Sequence, residues 1–303
     1  MSRIFEALRR AEQINNDPGT EAFPGKLGQG ANMLKAFAPE VDGLADLERV
    51  TSRLHPQSHL LGASKEDVAA MERFKLLRYR LYQLRKQRTL KSVLVTSAIP
   101  REGKSMVAAN LAITLAQSSI RVLLVDADLR RPSLPLLFGL KLVEGLAEIL
   151  QGRAEFMALC RRIDPLGLFL LPAGRPPANP VELLQGDFMR GVVKTATSTF
   201  DWVVIDSPPV LPLADGRFLG ALSDAVVLVV REGHTRREEL HESLVALKGA
   251  PLAGIILNTS RSANLDAYAY YYPALPKSAG SKRPALAAQL APNEKISNRG
   301  PVS

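Results

Sequence analysis

Cysteine is nearly missing from this 303-residue chain: Cys160 stands alone. A single thiol excludes an intramolecular disulfide, any metal cage built on paired cysteines, and the usual ligand set of an iron–sulfur cluster. Cys160 itself reads as a small buried hydrophobe. Long apolar runs are missing too. Val122 to Val125 and Ala225 to Val230 fall far short of the roughly 20 residues that cross a bilayer, so no transmembrane helix is expected. The start of the chain, Met1-Ser2-Arg3-Ile4-Phe5-Glu6-Ala7-Leu8, has charges inside its apolar stretch and no small-residue cleavage site. Export is therefore not expected, and the cytoplasm is the default location. A DNA-reading motif and an RNA-binding arrangement of aromatics are both lacking, which ranks nucleic acid last among acidic partners.

Positive charge, by contrast, is in excess, at a formal net +9. Such a balance favours an acidic partner such as anionic lipid, acidic protein or nucleotide phosphate. The excess is concentrated. Arg73, Lys75, Arg78, Arg80, Arg85, Lys86, Arg88 and Lys91 face one acidic residue, Glu72, between positions 72 and 91.

With 46% hydrophobic and 23% charged residues, the chain has enough apolar material for one sizeable core plus arms. Residues 1–15 place Ile4, Phe5, Leu8, Ala11 and Ile14 on one stripe of a short amphipathic helix, which serves either as a cap on its own domain or as a docking element. Residues 16–64 are rich in Gly, Pro, Asn and Ser and read as a flexible linker. From Lys65 the spacing of Val68, Met71, Phe74, Leu77, Leu81 and Leu84 predicts a helix to about Lys86. Apolar strands at 92–96, 121–126, 168–171, 202–206, 225–230 and 254–257 then alternate with helical stretches at 104–118, 181–197 and 235–248. This alternation predicts an α/β domain over 65–272, a mostly parallel sheet with helices on both faces. Residues 273–303 carry no periodicity and read as a disordered tail.

The strand Val93-Leu94-Val95 leads through Ala98-Ile99-Pro100-Arg101-Glu102-Gly103-Lys104-Ser105 into a helix that opens at Met106. Strand, loop and helix in this order form the setting of a phosphate-binding loop. Backbone N–H groups and the positive helix end attract phosphate, Gly103 permits close approach, Lys104 reaches the outer phosphates, and Ser105 can ligate Mg²⁺. Ala98 stands where the first glycine of the usual pattern would be. Two later strands end in carboxylates: Val122-Leu123-Leu124-Val125-Asp126-Ala127-Asp128 and Trp202-Val203-Val204-Ile205-Asp206. Acidic residues at the carboxyl edge of such a sheet suit a Mg²⁺ ion that keeps several waters.

These residues resemble the bacterial tyrosine autokinases of capsule and exopolysaccharide synthesis. The resemblance covers about Lys65 to Tyr272. It includes Pro100 in a phosphate loop without a leading glycine, Val125-Asp126-Ala127-Asp128-Leu129-Arg130-Arg131-Pro132, Leu171-Pro172-Ala173-Gly174-Arg175-Pro176-Pro177-Ala178-Asn179-Pro180-Val181-Glu182-Leu183-Leu184, and Ile205-Asp206-Ser207-Pro208-Pro209. The order and spacing of these segments are highly specific. The resemblance implies a P-loop NTPase-like fold, ATP and Mg²⁺ as cofactors, and phosphoryl transfer to tyrosine. A phenol of pKa near 10 needs a carboxylate to orient it or take its proton. Asp126 is the candidate for that role, with Asp128 and Asp206 assigned to the metal and its waters, and Asp126 and Asp128 could exchange roles. Asn258 matches the adenine-side residue of the family and equally suits a strand-end turn.

Family members often carry a C-terminal tyrosine cluster phosphorylated in trans by a neighbouring subunit. Here Tyr268, Tyr270, Tyr271 and Tyr272 take that place, with an aromatic packing patch as the other reading. The family's Glu-x-x-Arg-x-x-Arg ring motif maps onto Glu72, Lys75 and Arg78. Lys75 replaces an arginine and cannot form a planar bidentate pair, so the alternative is an ordinary solvated face. The resemblance further implies a homo-oligomeric ring at the inner face of the plasma membrane, held there indirectly by a separate membrane-embedded activator. Rival readings are a partitioning-type ATPase, disfavoured because Ile99 stands where that group has its signature lysine, and an ATP-binding scaffold without kinase activity.

Overall fold

The computed structural model describes residues 44, 47–52, 54, 58–61, 68–118, 120–141 and 143–259. Its frame is one eight-stranded sheet. In chain order the strands are β1 (Arg49–Thr51), β2 (Ser92–Ser97), β3 (Val122–Asp126), β4 (Arg161–Asp164), β5 (Leu168–Leu171), β6 (Trp202–Asp206), β7 (Ala225–Arg231) and β8 (Leu252–Asn258). Across the sheet they run β1-β4-β5-β3-β6-β2-β7-β8. All neighbours are parallel except β4 and β5, which pair antiparallel.

The central strands are buried along their whole length, as near-continuous apolar runs require when helices cover both faces. Alternate side chains feed two cores. Leu94, Leu123, Val125, Val203 and Ile205 face one side, together with Leu146, Phe156, Val192 and Leu219. Val93, Val95, Leu124, Trp202 and Val204 face the other, together with Leu81, Leu111, Leu115 and Phe138. The covering helices are α1 (Val68–Gln87), α2 (Lys104–Ala116), α3 (Leu134–Leu137), α4 (Leu146–Leu150), α5 (Phe156–Leu159), α6 (Pro180–Gln185), α7 (Asp187–Thr199), α8 (Asp215–Leu222) and α9 (Arg237–Ala246). The chain leaves β2 through α2 and returns as β3 beyond β6, whereas β7 is added on the opposite side of β2. Open α/β sheets bind ligands in the crevice at such a switch point.

The structure divides one of the expected helices and adds short elements that periodicity does not reveal. The stretch 181–197 is α6 and α7 separated at Gly186, whose extended backbone (φ −69°, ψ 164°) stops the first helix. Two pieces of the 16–64 segment, expected as flexible linker, are part of the fold. β1 pairs with β4 from Arg49 to Thr51. Leu60 and Leu61 are fully buried, and Asn110 of α2 clasps them, accepting from Leu61 N at 2.8 Å and donating to the His59 carbonyl at 3.0 Å. A three-residue strand carries no readable period, and the Leu60-Leu61 pair is too short to register as an element.

The basic patch is also partly internal. Arg78 donates to the Thr114 carbonyl at 2.7 Å, where the C-terminal end of α2 favours a cation. Arg85 lies 4.9 Å over the Trp202 ring, which Tyr82 meets edge-on at 5.6 Å. Lys91 donates to the Thr197 carbonyl at 2.7 Å. The Arg78 and Arg85 contacts fasten α1 to the rest of the fold, the second of them as a cation over an aromatic face. The helix expected over residues 1–15, the tyrosines 268–272 and the tail 273–303 lie outside the described residues.

Candidate active site

β2 carries the chain to the carboxyl edge of the sheet, where residues 98–103 turn it into α2. Ala98 is fully buried, and its carbonyl accepts Leu211 N at 3.2 Å, so the position of the missing first glycine is packed beneath the segment that follows β6. Arg101 adopts φ 68° and Gly103 φ 88°. A Cβ on Gly103 would fall 2.2 Å from Asn258 Nδ2, so space and backbone both demand glycine there. The Gly103 carbonyl accepts Val107 N at 2.9 Å and opens α2. The N–H groups of the first turn consequently have no intrahelical acceptor and are free for phosphate.

The ends of β7 and β8 strap this loop. Asn258 Nδ2 donates to the Glu102 carbonyl at 2.9 Å. Arg231 donates to the Arg101 carbonyl at 3.4 Å, and His234 Nε2 meets the Pro100 carbonyl at 3.4 Å. The Glu102 side chain turns inward, accepting Ile99 N at 2.9 Å and the Thr235 hydroxyl. Neither Arg231, His234 nor Thr235 carries a recognisable motif, and their proximity arises only when β7 aligns beside β2.

Lys104 lies at the centre of the acidic cluster. Its Nζ donates to Asp128 Oδ2 at 3.0 Å, stands 3.5 Å from Asp206 Oδ1 and is 3.2 Å from the Ser105 hydroxyl. Parallel pairing of β3 with β6 sets Asp126 opposite Asp206 in register. Asp206 is fully buried and neither oxygen has a hydrogen-bond partner among the described residues. Asp126 is enclosed in a different way. Its Oδ2 accepts Ser133 N and Leu134 N at 3.1 and 3.0 Å, and its Oδ1 accepts Asp128 N at 3.2 Å.

Burial and then the Asp206 charge push the Asp126 carboxyl up to about 8, against the Leu134 N–H and Lys104. Burial likewise raises Asp206, with Lys104 opposing. For Lys104, burial works to lower the pKa, but Asp206, Asp128 and Asp126 outweigh it and hold the ammonium above its ordinary 10.5. Lys104 is thus a permanent cation among carboxylates.

The expected loop residues Ala98, Ile99, Pro100, Arg101, Glu102, Gly103, Lys104 and Ser105 form one turn at this edge. Met106 follows in the first turn of α2, with its sulfur 3.0 Å from Asn110 Nδ2 on the core side. Asn258 donates its amide to the loop and accepts Thr259 N on its oxygen at 2.9 Å, which clamps the loop against the end of β8. Asp126, the candidate to face a phenol, is fully buried and accepts three backbone N–H groups, whereas Asp128, 5% exposed, is the carboxylate that touches Lys104. Glu72 and Lys75 pair with each other at 2.8 Å and Arg78 is turned onto α2, at the far end of that helix from the loop. Arg130 enters the sequence reading only as one letter of a matching segment; in the structure it forms an ion pair at 2.7 Å with fully buried Asp215 at the start of α8.

The residues present fit a divalent cation. Asp206 supplies two buried oxygens that accept no hydrogen bond, one of them 3.5 Å from the Lys104 ammonium, and Ser105 supplies a hydroxyl beside Lys104 in the same cluster. Among the described residues no group of three His, Cys, Asp or Glu side chains closes around one point. Such an ion would therefore complete its shell with water and phosphate oxygens, as Mg²⁺ does in nucleotide sites.

Comparison with known proteins agrees with this geometry. Residues 89–157, which include the loop and Asp126 and Asp128, match a family model described as ParA: NUBPL iron-transfer P-loop NTPase. Tyrosine-protein kinase YwqD of Bacillus subtilis (strain 168) is 34% identical over 217 residues, 71% of this chain and 92% of YwqD. Tyrosine-protein kinase wzc of Salmonella typhimurium is 33% identical over 222 residues, 72% of this chain and 31% of wzc. The solved kinase domain of Escherichia coli tyrosine kinase ETK superposes with a TM-score of 0.62 at 29% identity, over 73% of this chain and 93% of that domain. No helix among the described residues is long and apolar enough to cross a membrane. With the loop, the carboxylates and these relatives in agreement, the chain belongs to the bacterial tyrosine-protein kinases of P-loop type and is a protein-tyrosine kinase.

Proposed function

We propose that the chain transfers the γ-phosphoryl group of ATP to tyrosines at 268, 270, 271 and 272 of neighbouring copies, and that it thereby regulates exopolysaccharide synthesis and export. The observation that carries the reading is the Lys104 cluster. Lys104, held by Asp128 and Asp206 at 3.0 and 3.5 Å, is the cation that moves onto the phosphates when nucleotide enters. That movement uncovers Asp128 Oδ2, which in this reading accepts the phenol proton. The transfer then balances. The phenol oxygen forms a bond to phosphorus, the bond from phosphorus to the bridging oxygen breaks, ADP leaves, and the proton passes to Asp128. Asp126 takes a supporting role, with its backbone hydrogen bonds fixing the turn that presents Asp128. Ser105 and Asp206 would hold Mg²⁺, which when bound neutralises charge on the phosphoryl oxygens.

Capsule or exopolysaccharide regulation, a ring of copies built through Glu72, Lys75 and Arg78, and a separate membrane-embedded activator are the remaining parts of this proposal. The family resemblance supports them. Arg78 is already committed to α2, so a ring contact through this motif would use the Glu72 and Lys75 pair or release Arg78 from Thr114 and Ser118. Incubation of the full chain with labelled ATP and Mg²⁺, followed by mapping of the label, tests the reaction. Label on 268–272 that disappears in Lys104→Met is the expected result. ATP hydrolysis with no labelled tyrosine, even with an activator present, would replace the autokinase reading by that of a switch or scaffold.

A further inference from the structure

The phosphate loop contains something that phosphate binding alone does not call for. Glu102 is sunk within it, with 1% of its surface exposed. A buried carboxylate persists only where donors satisfy its oxygens. Both oxygens are committed. Oε2 accepts Ile99 N at 2.9 Å, bending the loop back on itself, and Oε1 accepts the Thr235 hydroxyl. Thr235 Oγ1 also accepts Arg231 N at 2.8 Å, which leaves the hydroxyl proton to point at Glu102. Between Ile99 and Glu102 lies Arg101 at φ 68°, a conformation that a residue with a Cβ keeps only where its surroundings enforce it. The enforcement comes from outside the loop, because the carbonyls of residues 100, 101 and 102 are held by His234, Arg231 and Asn258.

We propose that Thr235 and Glu102 are positioning residues for the nucleotide. The Thr235 hydroxyl, through Glu102, holds residues 99–102 in their strained turn and so sets the affinity of the loop for nucleotide phosphates without touching them. The proposal rests on the reading that this loop binds ATP. Because residue 235 leads directly into α9, occupancy of the loop and placement of that connection are coupled.

The test is a titration of the full chain with a fluorescent ADP analogue and Mg²⁺, together with steady-state kinetics. Thr235→Val keeps the shape of the side chain and removes the proton. It should weaken analogue binding about tenfold, the loss expected for one hydrogen bond to a charged group. KM for ATP should rise in step, while kcat at saturating ATP stays within about threefold. Thr235→Ser should restore affinity to within about threefold of the wild type. Glu102→Ala combined with Thr235→Val should bind no more weakly than Glu102→Ala alone, because the two act through one contact. Unchanged affinity in Thr235→Val, additive losses, or a serine variant as weak as valine would each overturn the proposal. Should the wild type itself fail to bind the analogue, or Lys104→Met bind it equally well, the ATP-binding reading falls and this proposal with it.

Discussion

Replacing Gly103 by alanine tests whether the loop is poised for phosphate. At φ 88° an alanine carries the left-handed penalty of about 1–2 kcal/mol. Its Cβ also falls 2.2 Å from Asn258 Nδ2, so the amide has to swing away from the Glu102 carbonyl, and that costs about 1 kcal/mol more. An empty loop escapes both penalties by relaxing, whereas a loop closed on phosphate must take the native turn, so about 2–3 kcal/mol reappears on binding. Affinity for ATP should drop roughly 30- to 150-fold by calorimetric titration. The thermal midpoint of the nucleotide-free protein should change by only a few degrees. Asn258→Ala alone should cost about 1 kcal/mol, and adding it to Gly103→Ala should cost nothing further, since the amide has already been displaced. ATP affinity within about threefold of the wild type, with an unshifted midpoint, would refute the claim that Gly103 is required by both backbone and Asn258.

Three further perturbations probe the cluster and the fold. Lys104→Met should abolish tyrosine labelling and leave Asp128 and Asp206 without their ammonium, an attraction on the order of 4 kcal/mol per pair at an effective dielectric of ~20; retained labelling would remove Lys104 from the reaction. The Asp126 carboxyl sits at about 8 in the fold, far above the ordinary 3.8 it has in the unfolded chain. Between those values the folded state holds a proton that the unfolded state has released, so stability should fall as pH rises from about 4 to about 8. Asp126→Asn should flatten that slope in urea melts across the same range, and parallel slopes would contradict the assignment. Leu60→Ala removes a fully buried side chain from the α2 side of the sheet and should destabilise by about 2–5 kcal/mol; a value under about 0.5 kcal/mol would mean that this segment is dispensable to the core.

How far the sequence could be read follows from the physics of each element. Strands buried on both faces, such as Val122–Asp126 and Trp202–Asp206, announce themselves through unbroken apolar residues that end in a carboxylate, and the sheet and its acidic edge were legible for that reason. β1 and β4 were not. They lie at one side of the sheet, and Arg161-Arg162-Ile163-Asp164 has the charged composition that suits an edge rather than a centre. The nucleotide loop was legible because local spacing alone defines it. Its straps were not, because Thr235 meets Glu102 across 133 residues and no local rule links them. The roles of the carboxylates were undecidable from spacing for a similar reason. Asp126 and Asp128 share one strand end, and only the backbone donors at Ser133 and Leu134 separate an enclosed Asp126 from a Lys104-facing Asp128.

Asp126 keeps its proton below about 8, so Asp128 and Asp206 share the one ammonium of Lys104, and the buried Asp206, 3.5 Å from that ammonium, is only partly compensated. A polyphosphate arriving alone is repelled by that charge; one arriving with a divalent cation is not. ADP binding should therefore strengthen markedly when Mg²⁺ is added. Asp206→Asn should behave in an unusual way, binding metal-free ADP more tightly than the wild type, because it removes the buried charge and releases Lys104 toward the phosphates. The same variant should gain little from added Mg²⁺. Titrations with the fluorescent analogue in EDTA and in Mg²⁺ separate the two effects without reference to kinase activity. A variant that binds metal-free ADP more weakly than the wild type would show that Asp206 serves the loop as a structural support and that its charge is not what makes nucleotide binding depend on the ion.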